Sequence, residues 1–411
     1  MKRDFREEAK KTREFIITLA KELIRCKTVN YNRDDYPEGG PDGMESPGQE
    51  SKAVAVLVRY LEKLGVSYKI YEKIKHRGNL ITSIGMRRPN YRKLLVLLHT
   101  DVVPSGGRHL WKYDPFEPVV KDGMLYGRGA ADNKGQLASV ISSFFMLQEF
   151  EHLINGEFIV GALSDEEVGI EKAGFEVVDE ELNFGSFVTD AIVPDTSGNN
   201  IEIERAEKGR IIIKVSVYGK QAHASMPWRG ANAIYAFSDF STRIEKHKFH
   251  YTTHHLLGEP TVNLGMIKGG SAPNTVAAFC EALFDVRTVP FMSDEGVLRE
   301  FRRVSERVNR NDIRFNVKIV QSSAPTEVPE DAEIIKTIKK YVPEAKTKGI
   351  GGITFCKPLV NRGIDAVGWS PGSEDVVHMA DECISIDELV DFSGLLAEVA
   401  FDICNQKIEK Q

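Results

Sequence analysis

The sequence has little that would tie it to an oxidising compartment, a membrane or a polyanion. Its 411 residues include five cysteines, Cys26, Cys280, Cys356, Cys383 and Cys404, widely scattered and with no CxxC pair. That pattern excludes a disulfide framework or a thiolate zinc site as the organising principle and suits a reducing compartment. No stretch reaches the ~18 consecutive apolar residues that a membrane-spanning helix needs. The opening residues, MKRDFREEAKKTREF, mix acids and bases around no apolar core, unlike a secretory leader. A surplus of one charge is missing too: 54 Lys and Arg stand against 60 Asp and Glu, a net charge of −6. Generic binding to nucleic acid or an anionic membrane is therefore not expected. Internal repeats, low-complexity tracts and an HExxH helix are also absent. These absences leave a cytoplasmic globular protein whose length exceeds what one core fills, so two domains are expected.

Apolar periodicity places an opening helix over 4–26 and a second over about 49–64, ended by Gly65. Between them, 27–48 is a long loop rich in Gly, Pro, Asn and Asp. Short apolar runs follow at Leu94–Leu98 (LLVLL), Phe158–Leu163 (FIVGAL) and Ala191–Val193 (AIV). They lack polar alternation, which predicts strands covered on both faces, with a helix over Lys134–Phe150 between them. The reading is an α/β domain with a mixed, mainly parallel sheet sandwiched by helices. After about Arg205 the pattern changes to strand (211–218), helix (231–246), two strands (261–268, 276–287), helix (293–308) and strand (313–320). That order fits a small ferredoxin-like α/β sandwich inserted over 207–322, with 1–206 and 323–411 forming one discontinuous domain.

Each apolar run of the first domain ends in charge: His99-Thr100-Asp101, then Ser164-Asp165-Glu166-Glu167, then Asp195-Thr196 after Pro194. Ligands of open α/β sheets gather at the carboxyl ends of the strands, so these groups are expected to converge. One acidic loop residue is normally just solvated. Three strand ends bearing His and carboxylates with no basic counterpart would repel one another unless cations neutralise them. Histidine with Asp and Glu, and no Cys, suits zinc or a similar divalent ion in an open site.

These residues resemble a known family, the co-catalytic dinuclear zinc exopeptidases and deacylases, which include aminoacylase, acetylornithine deacetylase, succinyl-diaminopimelate desuccinylase and glutamate carboxypeptidase. The runs that carry the resemblance are His99-Thr100-Asp101-Val102-Val103-Pro104, Gly127-Arg128-Gly129-Ala130-Ala131-Asp132-Asn133-Lys134-Gly135, Ser164-Asp165-Glu166-Glu167, Asp195-Thr196 and His378 in VVHMADE. Their order and spacing are kept over essentially the whole chain. The resemblance implies two divalent metal ions, zinc first with cobalt or manganese as substitutes, bridged by Asp132 and a water or hydroxide. His99 and Asp195 would complete one site, and Glu167 and His378 the other. It further implies Asp101 as the carboxylate that fixes the His99 tautomer, Glu166 as general base, and a cis peptide at Asp132–Asn133. Asp165 receives no role.

In the insert, Gly219–Pro227 (GKQAHASMP) resembles the family turn whose histidine, here His223, reaches the partner's active site in a homodimer formed through the inserted lid domain. Gly269–Asn274 and Asp285-Val286-Arg287 resemble segments that make Asn274 and Arg287 candidates for gripping a substrate carboxylate, with a turn Asn and an Asp285 ion pair as the plain alternatives. Gly351-Gly352-Ile353-Thr354 stands where the family has a Gly-Gly-Thr loop; the intruding Ile353 leaves Thr354 a weaker substrate contact and sets the chain apart from any one member. The function so implied is hydrolysis of amide bonds in N-acyl amino acids or short peptides with a free carboxylate. A dedicated desuccinylase or acetylornithine deacetylase is the narrower alternative. A non-catalytic binding protein on the same fold is the different-class alternative, disfavoured because every expected ligand and the base are present.

Overall fold

The computed structural model describes residues 4–169, 172–195, 198–308 and 310–408. Thr196, part of the fourth motif, lies outside them. The chain divides into two compact units: Met1–Arg205 with Val328–Lys348 and Thr354–Gln411, and Ala206–Glu327 with Gly349–Ile353. The second unit runs past the expected end at 322 because its last long strand spans Arg314–Ser323 and is followed by the short strand Thr326–Glu327. It takes in Gly349–Ile353 because Lys208 N donates to Ile350 O (3.0 Å) and Arg287 Nη1 to Gly351 O (2.7 Å).

In the first unit the strands lie in the order Tyr68–Tyr71, Asn79–Ile84, Glu157–Leu163, Lys93–His99, Asp190–Val193, Asp365–Gly368, Glu202–Glu207. Lys93–His99 pairs in parallel with the strands on both sides, and Asp190–Val193 in parallel with Asp365–Gly368, while the flanking pairs are antiparallel. The LLVLL run shows why alternation was missing. Leu94, Val96 and Leu98 enter the core formed with helices Arg13–Arg25, Ser51–Lys63, Lys134–Gln148 and Ile386–Ile403. Leu95 and Leu97 enter a second core with Phe175, Val178, Phe184 and Leu359 on the other face. The expected opening helix is broken at Thr12 into Phe5–Lys11 and Arg13–Arg25, and Thr12 Oγ1 bonds back to Ala9 O (2.8 Å). Phe5–Lys11 packs on the last helix, where Phe5 N donates to Glu398 Oε1 (2.9 Å).

The start of strand Glu157–Leu163 offers a clean stability test. A Cβ on Gly156 would lie 1.9 Å from Arg92 O and 2.8 Å from Cys404 O. Gly156→Ala is expected to lower stability by about 3 kcal/mol, seen as a drop in Tm, because backbone on two sides must yield. Turnover per folded molecule should not change, since Gly156 precedes the strand end opposite the site.

In the second unit, strands Thr261–Gly269, Phe279–Thr288, Gly209–Tyr218 and Arg314–Ser323 form one antiparallel sheet in that order, the ferredoxin-like arrangement. Ile211, Ile213, Val215 and Val217 face the helices Ala233–Glu245 and Asp294–Glu306 through Phe237, Phe240 and Phe301. Among the described residues, no helix is long and apolar enough to cross a membrane.

Candidate metal centre

Parallel register brings the motifs together. His99 pairs with Leu163, so the strand ending in His99 and the one leading into Ser164–Glu167 stop at the same level. Asp190–Val193 delivers Asp195 beside them, and Asp132 closes the loop before helix Lys134–Gln148. The Asp132–Asn133 peptide bond is cis. Asp132 presents one oxygen to each of two histidines: Oδ1 lies 3.0 Å from His99 Nε2, and Oδ2 lies 3.2 Å from His378 Nε2. His99 Nε2 is also 3.8 Å from Asp195 Oδ1, and His378 Nε2 is 3.1 Å from Glu167 Oε2. Ligand atoms of His99, Asp132 and Glu167 fall within 4.8 Å of one another, as do those of His99, Glu166 and Asp195.

Four carboxylates crowd against two imidazoles here, and the titration behaviour reflects it. Burial, then Asp195, holds the Glu166 carboxyl well above its ordinary range. Burial, then Asp132, pushes Glu167 up to about 7 and raises Asp195. Hydrogen bonds to Asp132 and Glu167 push His378 up to about 10. Burial opposes ionisation of Asp132 as well, but its bonds to His378 and His99 prevail and keep it low. Every one of these groups except Asp132 is driven toward its more positive form, so the site favours positive charge. Glu167 Oε1 is buried with no hydrogen-bond partner. An orphaned carboxylate oxygen beside His, Asp and Asp is a donor set that suits a divalent cation.

Asp101 faces His99 through two groups. His99 Nδ1 lies 3.0 Å from the main-chain O of Asp101 and 3.5 Å from its Oδ1, so the carbonyl is the nearer group fixing the tautomer. The Asp101 carboxylate also accepts Glu166 N (3.2 Å) and Glu167 N (3.1 Å). Sequence reasoning also passed over Glu382. This buried carboxylate accepts the amides of Gly129, Ala131 and Asp132 (3.0, 2.8 and 3.1 Å) through Oε1, and Arg128 Nη1 (2.6 Å) through Oε2. The signal available was an acid four residues beyond His378 with Arg128 inside the Asp132 motif. Asp165, left without a role, is buried and left-handed at φ 61°.

The remaining candidates are placed as follows. Thr354 belongs to the first unit, where its Oγ1 accepts Cys356 N (3.0 Å) at the start of helix Cys356–Val360. His223, Asn274 and Arg287 belong to the second. His223 and Asn274 are exposed neighbours: Ala224 N donates to Asn274 O (3.0 Å), and His223 Nδ1 is bonded to Ser225 Oγ (2.7 Å). Arg287 bonds Asp285 through Nε (2.7 Å). A third group in the second unit, His254, His255 and Glu327, has ligand-like spacing. There His254 Nδ1 accepts Leu256 N (3.3 Å) and Leu257 N (3.2 Å), which puts the ring proton on Nε2, facing Glu327 Oε2 at 3.1 Å. That is a hydrogen-bonded pair, and coordination at Nε2 would need the proton where the two amides already point.

A family model described as a peptidase dimerisation domain matches residues 205–313. A dinuclear metal-binding peptidase of the M20 family from Bacillus subtilis superposes with a TM-score of 0.68 at 15% identity, covering 96% of this chain and 99% of that one. An uncharacterized metallohydrolase of Methanocaldococcus jannaschii is 32% identical over 95% of this chain and 98% of its own length. The chain belongs to the M20 family of metallohydrolases. Among other M20 relatives is a probable succinyl-diaminopimelate desuccinylase of Staphylococcus aureus, 27% identical over 85% of this chain and 93% of its own. The protein is accordingly a metallohydrolase, an enzyme of the M20 family.

Proposed function

We propose that this M20 enzyme is a dinuclear metal-dependent hydrolase of N-acyl amino acids or short peptides that carry a free carboxylate. The reading rests on one observation above all: Asp132 turns one oxygen to His99 and the other to His378, with Asp195 beside the first and Glu167 beside the second. His99 and Asp195 would hold one zinc ion, Glu167 and His378 another, with Asp132 shared; cobalt or manganese would serve in the same sites. When bound, such a pair polarises the scissile carbonyl and acidifies the attacking water.

The chain's own residues do the rest. Glu166 takes the proton from the attacking water and passes it to the leaving amine, a task suited to a carboxyl held above its ordinary range by burial. Asp101 keeps the main chain of Glu166 and Glu167 in place, and its carbonyl orients His99. His223 stabilises the tetrahedral oxyanion from the partner subunit of a homodimer joined through the inserted domain. Asn274, Arg287 and Thr354 recognise the substrate, and the first two grip its carboxylate.

The test is a screen of zinc- and cobalt-loaded protein against N-acetyl and N-succinyl amino acids and dipeptides of varied C-terminal residue, with metal content measured alongside. We expect two metal ions per chain and turnover confined to substrates with a free carboxylate. Substantially fewer than two metals with no turnover would sink the reading.

A further inference from the structure

The peptide that carries Glu166 and Glu167 is held from outside the metal centre. Asp165, immediately before them, spends its whole carboxylate on this: Oδ1 accepts Asn30 Nδ2 (3.0 Å) and Arg77 Nη2 (3.1 Å), and Oδ2 accepts Ala173 N (3.2 Å). Arg77, from the turn before strand Asn79–Ile84, is 2% exposed and grips fully buried Glu50 with two prongs, Nε to Oε2 (2.7 Å) and Nη2 to Oε1 (2.8 Å). Glu50 in turn accepts Asp165 N (3.3 Å). Asn30 joins the two halves, its Nδ2 reaching Asp101 Oδ2 (2.9 Å) as well as Asp165. Asp101 then takes the amides of Glu166 and Glu167.

Burying one guanidinium among three carboxylates is a poor way to gain stability, because apolar residues of the same volume generally do as well or better. What the arrangement supplies is geometry. Adjacent side chains such as Glu166 and Glu167 separate into different tasks only if the peptide between them is fixed, and here it leaves Asp165 in a left-handed turn unfavourable to most side chains. We propose that Arg77 is a positioning residue for the Glu166–Glu167 pair: acting through Glu50, Asp165 and Asn30, it fixes their main chain so that Glu166 stays available for proton transfer while Glu167 is aimed at a metal. The inference rests on the dinuclear hydrolase reading.

The experiment compares Arg77→Lys with Arg92→Lys. Arg92 makes the same two-pronged grip on Asp190, Nε to Oδ2 (2.8 Å) and Nη2 to Oδ1 (2.7 Å), at the opposite ends of the central strands. An ammonium reaches one partner where the fork reached two, so both variants are expected to lose Tm. Only R77K should lower kcat, by about tenfold or more with KM little changed, and weaken cobalt(II) binding to the metal-free protein by a similar factor with an altered cobalt absorption spectrum. Matching kcat and cobalt spectra in R77K and R92K would overturn the proposal. Should R77K not fold, Asn30→Ala cuts the link between Asp165 and Asp101 and carries the same expectation; wild-type kcat and spectrum in that variant refute it equally. Wild-type protein that binds no cobalt and hydrolyses nothing marks failure of the underlying reading instead, and the positioning role falls with it.

Discussion

Glu166→Gln is expected to lower kcat by about three orders of magnitude, within the range that a positioned acid–base group contributes. The amide keeps the shape of the side chain but cannot accept the water's proton, so metal content, Tm and KM should stay close to wild type. In the proposed arrangement Glu166 is not assigned to either metal, which is why its loss should be confined to turnover. Steady-state kinetics with parallel metal analysis reads this directly. Near wild-type hydrolysis with Gln at 166 would remove it as the base.

The second large effect concerns the shared carboxylate. Asp132→Ala takes one ligand from each site, so zinc content should fall well below two per chain and hydrolysis should become undetectable. Stability reports the same event. In wild type, metal at a thousand times its Kd is worth about 4 kcal/mol per site, and a chelator should lower Tm accordingly. The variant should show almost no zinc-dependent shift. The wild-type shift should also grow as pH rises. Glu167, pushed up to about 7, and His378, pushed up to about 10, must shed protons to accept a cation. Groups with raised folded values stabilise the metal-free form at low pH and lose that contribution as pH climbs through those values. Thermal unfolding at pH 6 and pH 8, with and without chelator, checks the sign; a larger zinc shift at pH 6 would contradict it.

The sheet and the convergence of the candidate ligands were legible for a common reason. Runs such as LLVLL and FIVGAL carry their meaning locally, since a strand with two covered faces needs no polar partner, and the charges following each run sit where parallel strands end together. What escaped depends on pairings between distant segments. Nothing near Arg77 indicates that it meets Glu50 and Asp165, and the closeness of Glu382 to His378 in sequence hints at the site without indicating that it takes three amides of the Asp132 loop. Spacing indicates that the Asp101 side chain points toward His99, where its Oδ1 lies 3.5 Å from Nδ1, but not that the Asp101 carbonyl approaches the same nitrogen at 3.0 Å. The helix break at Thr12 escaped because apolar periodicity runs through it. The Gly349–Ile353 segment joins the second unit through main-chain acceptors, which any sequence could supply.

The pairing of the first helix with the last sets an order on biosynthesis. Phe5–Lys11 finds its cover on Ile386–Ile403, and His378 is made only shortly before that helix. A ribosome working at about 5–20 residues per second therefore releases the early apolar surface long before its counterpart exists. Ala206–Glu327, whose sheet and helices come from one continuous stretch, is complete in sequence while the first unit still lacks its C-terminal part. The nascent enzyme would then pass through a stage with one finished unit and one exposed, metal-incompetent half, the stage at which chaperones have most to hold.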